Sequence, residues 1–392
     1  MSLWASDVQP VPLGEVLKFR SDIVHPKDKP QGHEVFVGLE HIERDTGIRI
    51  GEERIELSEM TGRRARFKSG DIVYGYLRPY LNKVWVAEFD GLCSVDQYVL
   101  TVNPKVSRSY VAHFLRSHRF LQTAPVDVAP GQLPRIRSGE LAGTSIPLPP
   151  LPEQQRIAAI LDKADALRRK RKRAIERLDS LTQSIFLEMF GDPAANSKGF
   201  KRGKIGDLLA DTQYGTSAKA GREGGYPILR MGNITVDGRI ITDDLKFIDL
   251  AQADIRKYTV QRGDILFNRT NSADLVGKTA VFDLEEPFAF AGYLVRARTK
   301  KGASPDYIAA YLNSRHGKAT LRGMAKSIVG MANINAKEMV SIPILIPDEQ
   351  LQRRYAEALM AIRMRQRGAE TQLRALETLF SSLQFRAFSG QI

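Results

Sequence analysis

The chain is written twice. "SIPLPPLPEQQ" at 145–155 returns as "SIPILIPDEQL" at 341–351, displaced by 196 residues. "SGDIVYGYL" at 69–77 returns as "RGDILFNRT" at 262–270, "YVAHFLRSH" at 110–118 as "YIAAYLNSR" at 307–315, and "IRSGEL" at 136–141 as "INAKEM" at 334–339. "LEHI" at 39–42 has a fainter echo in "MGNI" at 231–234. Blocks repeating in one order at nearly one offset mark a tandem duplication. The expected division is therefore a module at 1–150, a helix at 151–191, a second module at 192–346 and a second helix at 347–392.

Each helix has its own signature. The first opens on prolines and Glu153, suited to a helix N-terminus, and runs without Pro or Gly to Gly191. Its apolar seam reads Ile160, Ala164, Leu167, Arg171, Ala174, Leu178, Leu181 and Ile185. The second opens at Pro347-Asp348-Glu349, with a seam of Leu359, Ile362, Gln366, Ala369, Leu373, Leu376, Phe380 and Leu383. Alternating spacings of 4 and 3 predict a coiled coil, with each helix the partner of the other. A folded module between them favours antiparallel pairing. About 38 residues at about 1.5 Å each predicts a rod of roughly 57 Å. Polar Arg171 and Gln366 fall mid-seam, where such residues set register.

The modules read as mixed α/β. Strand-like stretches are "EVFVGL", "DIVYGYL" and "KVWVAEF" in the first, and "PILRMGNITV", "DILFNRT" and "KTAVFD" in the second. One helix follows in each, near 109–122 and 305–324. No βαβ rhythm is present, so the fold class is α+β.

A net charge of +13 points to an acidic partner, nucleic acid first. The excess is spread over the chain: +1 in 1–152, +3 in 153–190, +6 in 191–348 and +3 in 349–392. Local basic surfaces are expected rather than a basic tail. "RRKRKR" at 168–173 covers every face of a helix and reads mainly as solvated charge. No run of eighteen apolar residues suggests a membrane span, and one cysteine, Cys93, fits a reducing cytoplasm.

Motifs for chemistry do not emerge. "SADLVGKT" at 272–279 ends like a phosphate-binding loop, but Ser272 stands where the first glycine belongs. The Asn/Asp-Pro-Pro-aromatic loop of amino-methyltransferases is absent from the sequence, as are a Gly-x-Gly-x-x-Gly, a Gly-x-Ser-x-Gly and a His-Glu-x-x-His. His25, His33 and His41 lack the partners of a metal site, and "GEERIELSE" reads as a solvated helix or loop face. Neither a metal nor a cofactor is expected.

The loops after the Gly-Asp-Ile strands are the candidate contacts. In the second copy this is Asn268, Arg269, Thr270, Asn271, Ser272 and Lys278. Asn and Arg can bond bidentately to adenine and guanine edges, and Ser, Thr and Lys suit phosphates. In the first copy it is Arg78, Tyr80, Asn82 and Lys83. Gln132 and Arg135 before the "IRSGEL" block, Asn333 before "INAKEM", and Thr216 and Lys219 complete the candidate DNA contacts.

Taken together, "IPLPPLPEQQRIAAILD", "LEMFGDP", "LRMGNI" and "DILFNRTNSADLVGKTAV" resemble the specificity subunit of type I restriction–modification systems over the whole chain. The resemblance implies two target recognition domains joined by two long antiparallel helices, each domain reading half of a split DNA site. It also implies that the helices set the unread gap and dock methyltransferase subunits, two of them, which carry S-adenosylmethionine and modify adenine. Restriction subunits with translocase and nuclease activity would join, while this chain would be non-catalytic. The rival is a stand-alone bipartite DNA-binding regulator.

Overall fold

The computed structural model describes residues 8–128, 131–328 and 331–392. It holds two compact units. One comprises residues up to Lys172 with Glu370–Ile392, the other Arg173–Ala369.

The first unit carries a four-stranded sheet in the order Leu17–Phe19, Gln97–Val102, Ile72–Gly75, Val84–Val86. The second repeats it as Leu209–Tyr214, Leu294–Thr299, Ile265–Asn268, Thr279–Val281. A two-stranded ladder also recurs, Pro10–Pro12 with Ser145–Pro147 and Lys201–Lys204 with Pro343–Ile346. Beside these lies a mixed sheet in each unit, of five strands in the first and four in the second. Antiparallel neighbours dominate, which agrees with the lack of a βαβ rhythm.

Two long helices follow, Leu151–Phe190 and Glu349–Phe388. Both end at a glycine with positive φ, Gly191 at 72° and Gly390 at 76°, the left-handed stop that other residues adopt at a cost. Within the second unit Gln366 Nε2 donates to Asp179 Oδ1 at 2.7 Å, and Phe186 meets Tyr355 at 5.9 Å. Moving up one helix means moving down the other, so the two segments are antiparallel there. Within the first unit the Arg168 guanidinium lies 4.4 Å from the centre of Phe380.

The helix ends are core. Phe190 packs on Tyr307 at 4.6 Å, and Phe388 on Tyr110 at 5.3 Å. Such aromatic pairs add about 0.5–1.5 kcal/mol beyond their area burial. Each tyrosine hydroxyl donates to a strand carbonyl, Tyr110 to Pro147 and Tyr307 to Leu345.

Several expectations need correction. The buried path of the first helix runs through Ile157, Leu161, Ala164 and Phe186, whereas Leu167 and Leu181 are exposed. The other six expected positions of that seam are buried or half-buried, so it departs at Leu167 and Leu181. The second seam is buried or half-buried at all eight positions. The polar residue equivalent to Gln366 is Arg168 rather than Arg171. The single helices expected near 109–122 and 305–324 are each two, Arg108–Leu115 with His118–Thr123 and Pro305–Asn313 with Arg315–Met324. Ser117 and Ser314 break them, their hydroxyls accepting the N–H of Phe120 and of Gly317. "GEERIELSE" includes the strand Glu53–Glu56.

The repeat register also shifts. Pro147 and Leu345 accept the equivalent tyrosines, so Ser145 corresponds to Pro343, not Ser341. The displacement there is 198, and the sequence match at 196 slid by two because "SIP" recurs.

Candidate nucleic-acid interface

In the second unit Thr270–Asn271 pairs with Met331–Asn333, which pairs in turn with Lys326–Ile328. This small sheet brings Arg269 beside Asn333, with Nη2 donating to Oδ1 at 3.3 Å. Asn333 Nδ2 donates to Thr270 Oγ1, also at 3.3 Å. The Arg269 guanidinium lies 5.0 Å from the centre of the Tyr214 ring, whose hydroxyl accepts the Ala336 N–H. Arg269 is half-buried, while Tyr214 and Tyr293 beside it are exposed. Nη1 also reaches the Gly292 carbonyl at 3.5 Å, so the guanidinium is held in a fixed plane over the aromatic face.

The first unit builds the same place from other residues. Ile334 N–H donates to the Arg269 carbonyl, and Ile136 N–H to the Tyr76 carbonyl. Thr270 pairs with Asn333, and Leu77 bridges to Arg135. Tyr76 therefore stands where Arg269 stands, and Arg135 where Asn333 stands. Tyr76 stacks on Tyr98 with centroids 4.3 Å apart and planes 18° apart. Arg78 is exposed at a positive φ of 50°, its N–H donating to the Pro134 carbonyl, and Tyr80 is exposed nearby in sequence.

So Arg269, Asn271 and Asn333 come together on one surface, with Thr270 buried beside Asn333, and Arg78 and Arg135 on another. Gln132, Lys219 and Ser272 are exposed loop positions, and Tyr80 is exposed on the 3-10 turn Pro79–Leu81. Thr216 is buried, with its hydroxyl accepting the Ala218 N–H.

Four residues lie inside the fold instead. Asn82 Nδ2 donates to Asp45 and to the Arg116 carbonyl. Asn268 is fully buried. Lys83 Nζ donates to the Leu39 carbonyl, and Lys278 Nζ to the carbonyls of Met231 and Ile234. Both lysines thus cap a repeated 3-10 turn, Leu39–His41 and Met231–Asn233. Burial pushes the Lys278 ammonium below its ordinary value. The sequence does not single out the stacked Tyr76 and Tyr98 of the first unit, or the exposed Tyr214 and Tyr293 of the second.

The Gly-Lys-Thr has a local explanation. Gly277 holds φ at 81°, and a Cβ there would come within 2.6 Å of Leu321. Lys278 points at backbone carbonyls, and Thr279 starts a strand instead of the helix that a phosphate loop requires.

The sole group of potential metal ligands among the described residues is Glu40, His41 and Glu53. Gly38 N–H donates to His41 Nδ1 at 3.1 Å, so in the neutral ring Nε2 carries the proton. That nitrogen lies 3.8 Å from Glu53 Oε1, and a metal bound through it would move the proton to Nδ1 and break the Gly38 hydrogen bond.

Of the basic run, Arg168 and Arg169 pair with Asp165, and Lys172 with Glu43. Lys170 and Arg173 are exposed.

The family profile described as the type I restriction modification DNA specificity domain matches residues 6–177 and 198–375. The chain belongs to that family. Each matched stretch takes in one module and most of the helix after it. The chain is 32% identical over 180 residues to the EcoDI specificity subunit of Escherichia coli, covering 45% of this chain and 40% of that one. It is 24% identical over 323 residues to the EcoKI specificity subunit of Escherichia coli K12, covering 76% and 69%. It thus spans two fifths of the first relative's length. The crystal structure of a type I restriction–modification S subunit from M. genitalium matches with a TM-score of 0.60 at 14% identity, over 97% of this chain and 96% of that one. A chain of another type I restriction–modification system matches at 0.57 with 20% identity, over 98% of both. These structures share the fold of this specificity-domain chain.

Proposed function

We propose that the chain is the DNA-reading subunit of a type I restriction–modification complex. Each unit would read one half of a bipartite double-stranded DNA site, and the long helices would set the gap and dock two methyltransferase subunits. Restriction subunits would join that assembly. The chain would supply recognition and no catalysis.

The observation that carries this reading is the repeated surface itself. Tyr76 with Arg135, and Arg269 with Asn333, occupy one backbone position in two units. One frame presenting different side chains twice suits two half-sites of different sequence. Tethering two weak readers makes the second contact effectively intramolecular, provided that the gap fits.

Selection of bound duplexes from a randomised pool by the reconstituted complex tests this. Two short defined elements should emerge, separated by an undefined stretch of constant length. Removing one heptad from both long helices should shorten that stretch by about three base pairs, from roughly 10 Å of helix. A contiguous element, or a gap unaltered in a shortened but folded protein, would contradict it. Tight specific binding by the purified chain alone would favour the stand-alone regulator.

A further inference from the structure

Leu133 and Met331 lie 198 residues apart, as do Arg135 and Asn333, and Ile136 and Ile334. Leu133 and Met331 are each 43% exposed. Each sits two residues before the polar position just described, on an extension paired to the segment leaving the Gly-Asp-Ile strand. In the first unit that extension is fixed by Asp127 and Arg135, which exchange both backbone hydrogen bonds at 2.8 and 3.0 Å. In the second, Met331 pairs with Ile328 and Asn333 with Lys326.

Donors stand near both, Gln132 and Arg135 flanking Leu133 in sequence with the Arg78 N–H on the Pro134 carbonyl, and Asn333 with its partner Arg269 just beyond Met331, while exposed Val126 and Val128 border the first extension and Ile328 pairs with Met331. A lone exposed apolar residue calls for no explanation. The same exposed apolar position in both copies does, because drift after duplication would readily make one of them polar. The surrounding donors fit an anionic polymer better than an apolar protein groove. On such a polymer leucine and methionine can do one thing that donors cannot, which is to enter between stacked bases.

Resting on the reading that each unit meets DNA through this surface, we propose that Leu133 and Met331 are apolar wedges. Each enters one base step of its own half-site and partly unstacks it. The polar side chains two residues on then act on bases that the wedge has exposed.

The test uses the reconstituted complex and its selected duplex, with 2-aminopurine placed at one position at a time. Fluorescence should rise on binding at one step in each half-site. Leu133→Ala should abolish the rise in one half-site only, and Met331→Ala in the other. Each should weaken binding roughly fivefold, as expected for about 40 Å² of apolar side chain withdrawn from water. The exchanges Leu133→Met and Met331→Leu should restore the rise.

Specific binding with no rise at any position would overturn the wedge while leaving the proposed function standing. So would a rise that survives both alanine variants. Loss of affinity on replacing thymine by uracil, without unstacking, would assign a thymine-methyl contact instead. Release of methyltransferase subunits by either alanine variant would assign a protein contact. Failure of the wild-type complex to bind DNA specifically would overturn both the wedge and the reading beneath it.

Discussion

Gln352 Oε1 accepts the Ser304 N–H at 2.9 Å while Gln352 Nε2 donates to the Pro347 carbonyl at 2.8 Å. Gln154 does the same with Ser107 and Pro149 in the first unit. Each amide ties the start of a long helix to the N-terminus of a module helix. Both glutamines are buried, so truncation leaves an amide and a carbonyl without partners. Gln352→Ala should cost about 2–3 kcal/mol, mostly from those unsatisfied groups. Urea unfolding monitored by circular dichroism would show it. A loss below about 0.5 kcal/mol would mean that water replaces the amide.

Lys278 should prove structural. Lys278→Ala removes two charge-assisted hydrogen bonds to carbonyls and should destabilise by about 2 kcal/mol. Nucleotide hydrolysis should be absent from wild type and variant alike. Hydrolysis by wild type that disappears in Lys278→Ala would revive the phosphate-loop reading.

The limits of sequence reading follow from periodicity and register. Duplication and long helices were legible because Pro, Gly and the 3/4 spacing are local signals, and the second seam emerged residue by residue. The first seam slipped at Leu167 because Asp165 is buried and Arg168 half-buried while Leu167 is exposed, against their polarity. Arg168 stacks on Phe380 and pairs with Asp165, a solution that only the tertiary partners supply. The candidate surface was partly legible. Arg269 and Asn333 were named separately, but their juxtaposition depends on strand pairing 64 residues apart. Lys83 and Lys278 misled because a lysine reaching backbone carbonyls looks like a free cation in sequence.

Arg269 is held by stacking on Tyr214 and by Asn333, a geometry suited to a base edge. Arg269→Ala should relax preference at one position within one half-site, costing about 1–3 kcal/mol there. Affinity measured across single-base variants of the selected site would reveal it. A uniform loss over all duplexes, with a shallower salt dependence, would make it a phosphate contact.

Asp71 predicts an acid sensitivity in the first unit. Burial alone would raise its carboxyl, but hydrogen bonds from Arg20, the Lys68 N–H and Thr101 hold it below the ordinary value. A depressed folded value means that the stabilisation is present above the unfolded value of about 3.9 and fades as pH falls toward the folded one. Asp71→Asn should therefore lose about 1–2 kcal/mol at pH 7, and the gap to wild type should narrow near pH 3. Urea midpoints at the two pH values check this, and an equal gap at both would contradict it.

The central claim is that this chain directs DNA modification to a split site. Long-read mapping of modified bases in host DNA, with the gene intact and deleted, tests it most directly. Deletion should abolish adenine methylation at one gapped motif whose halves match those selected in vitro. Identical maps from cells that express the chain and its methyltransferase would contradict the account.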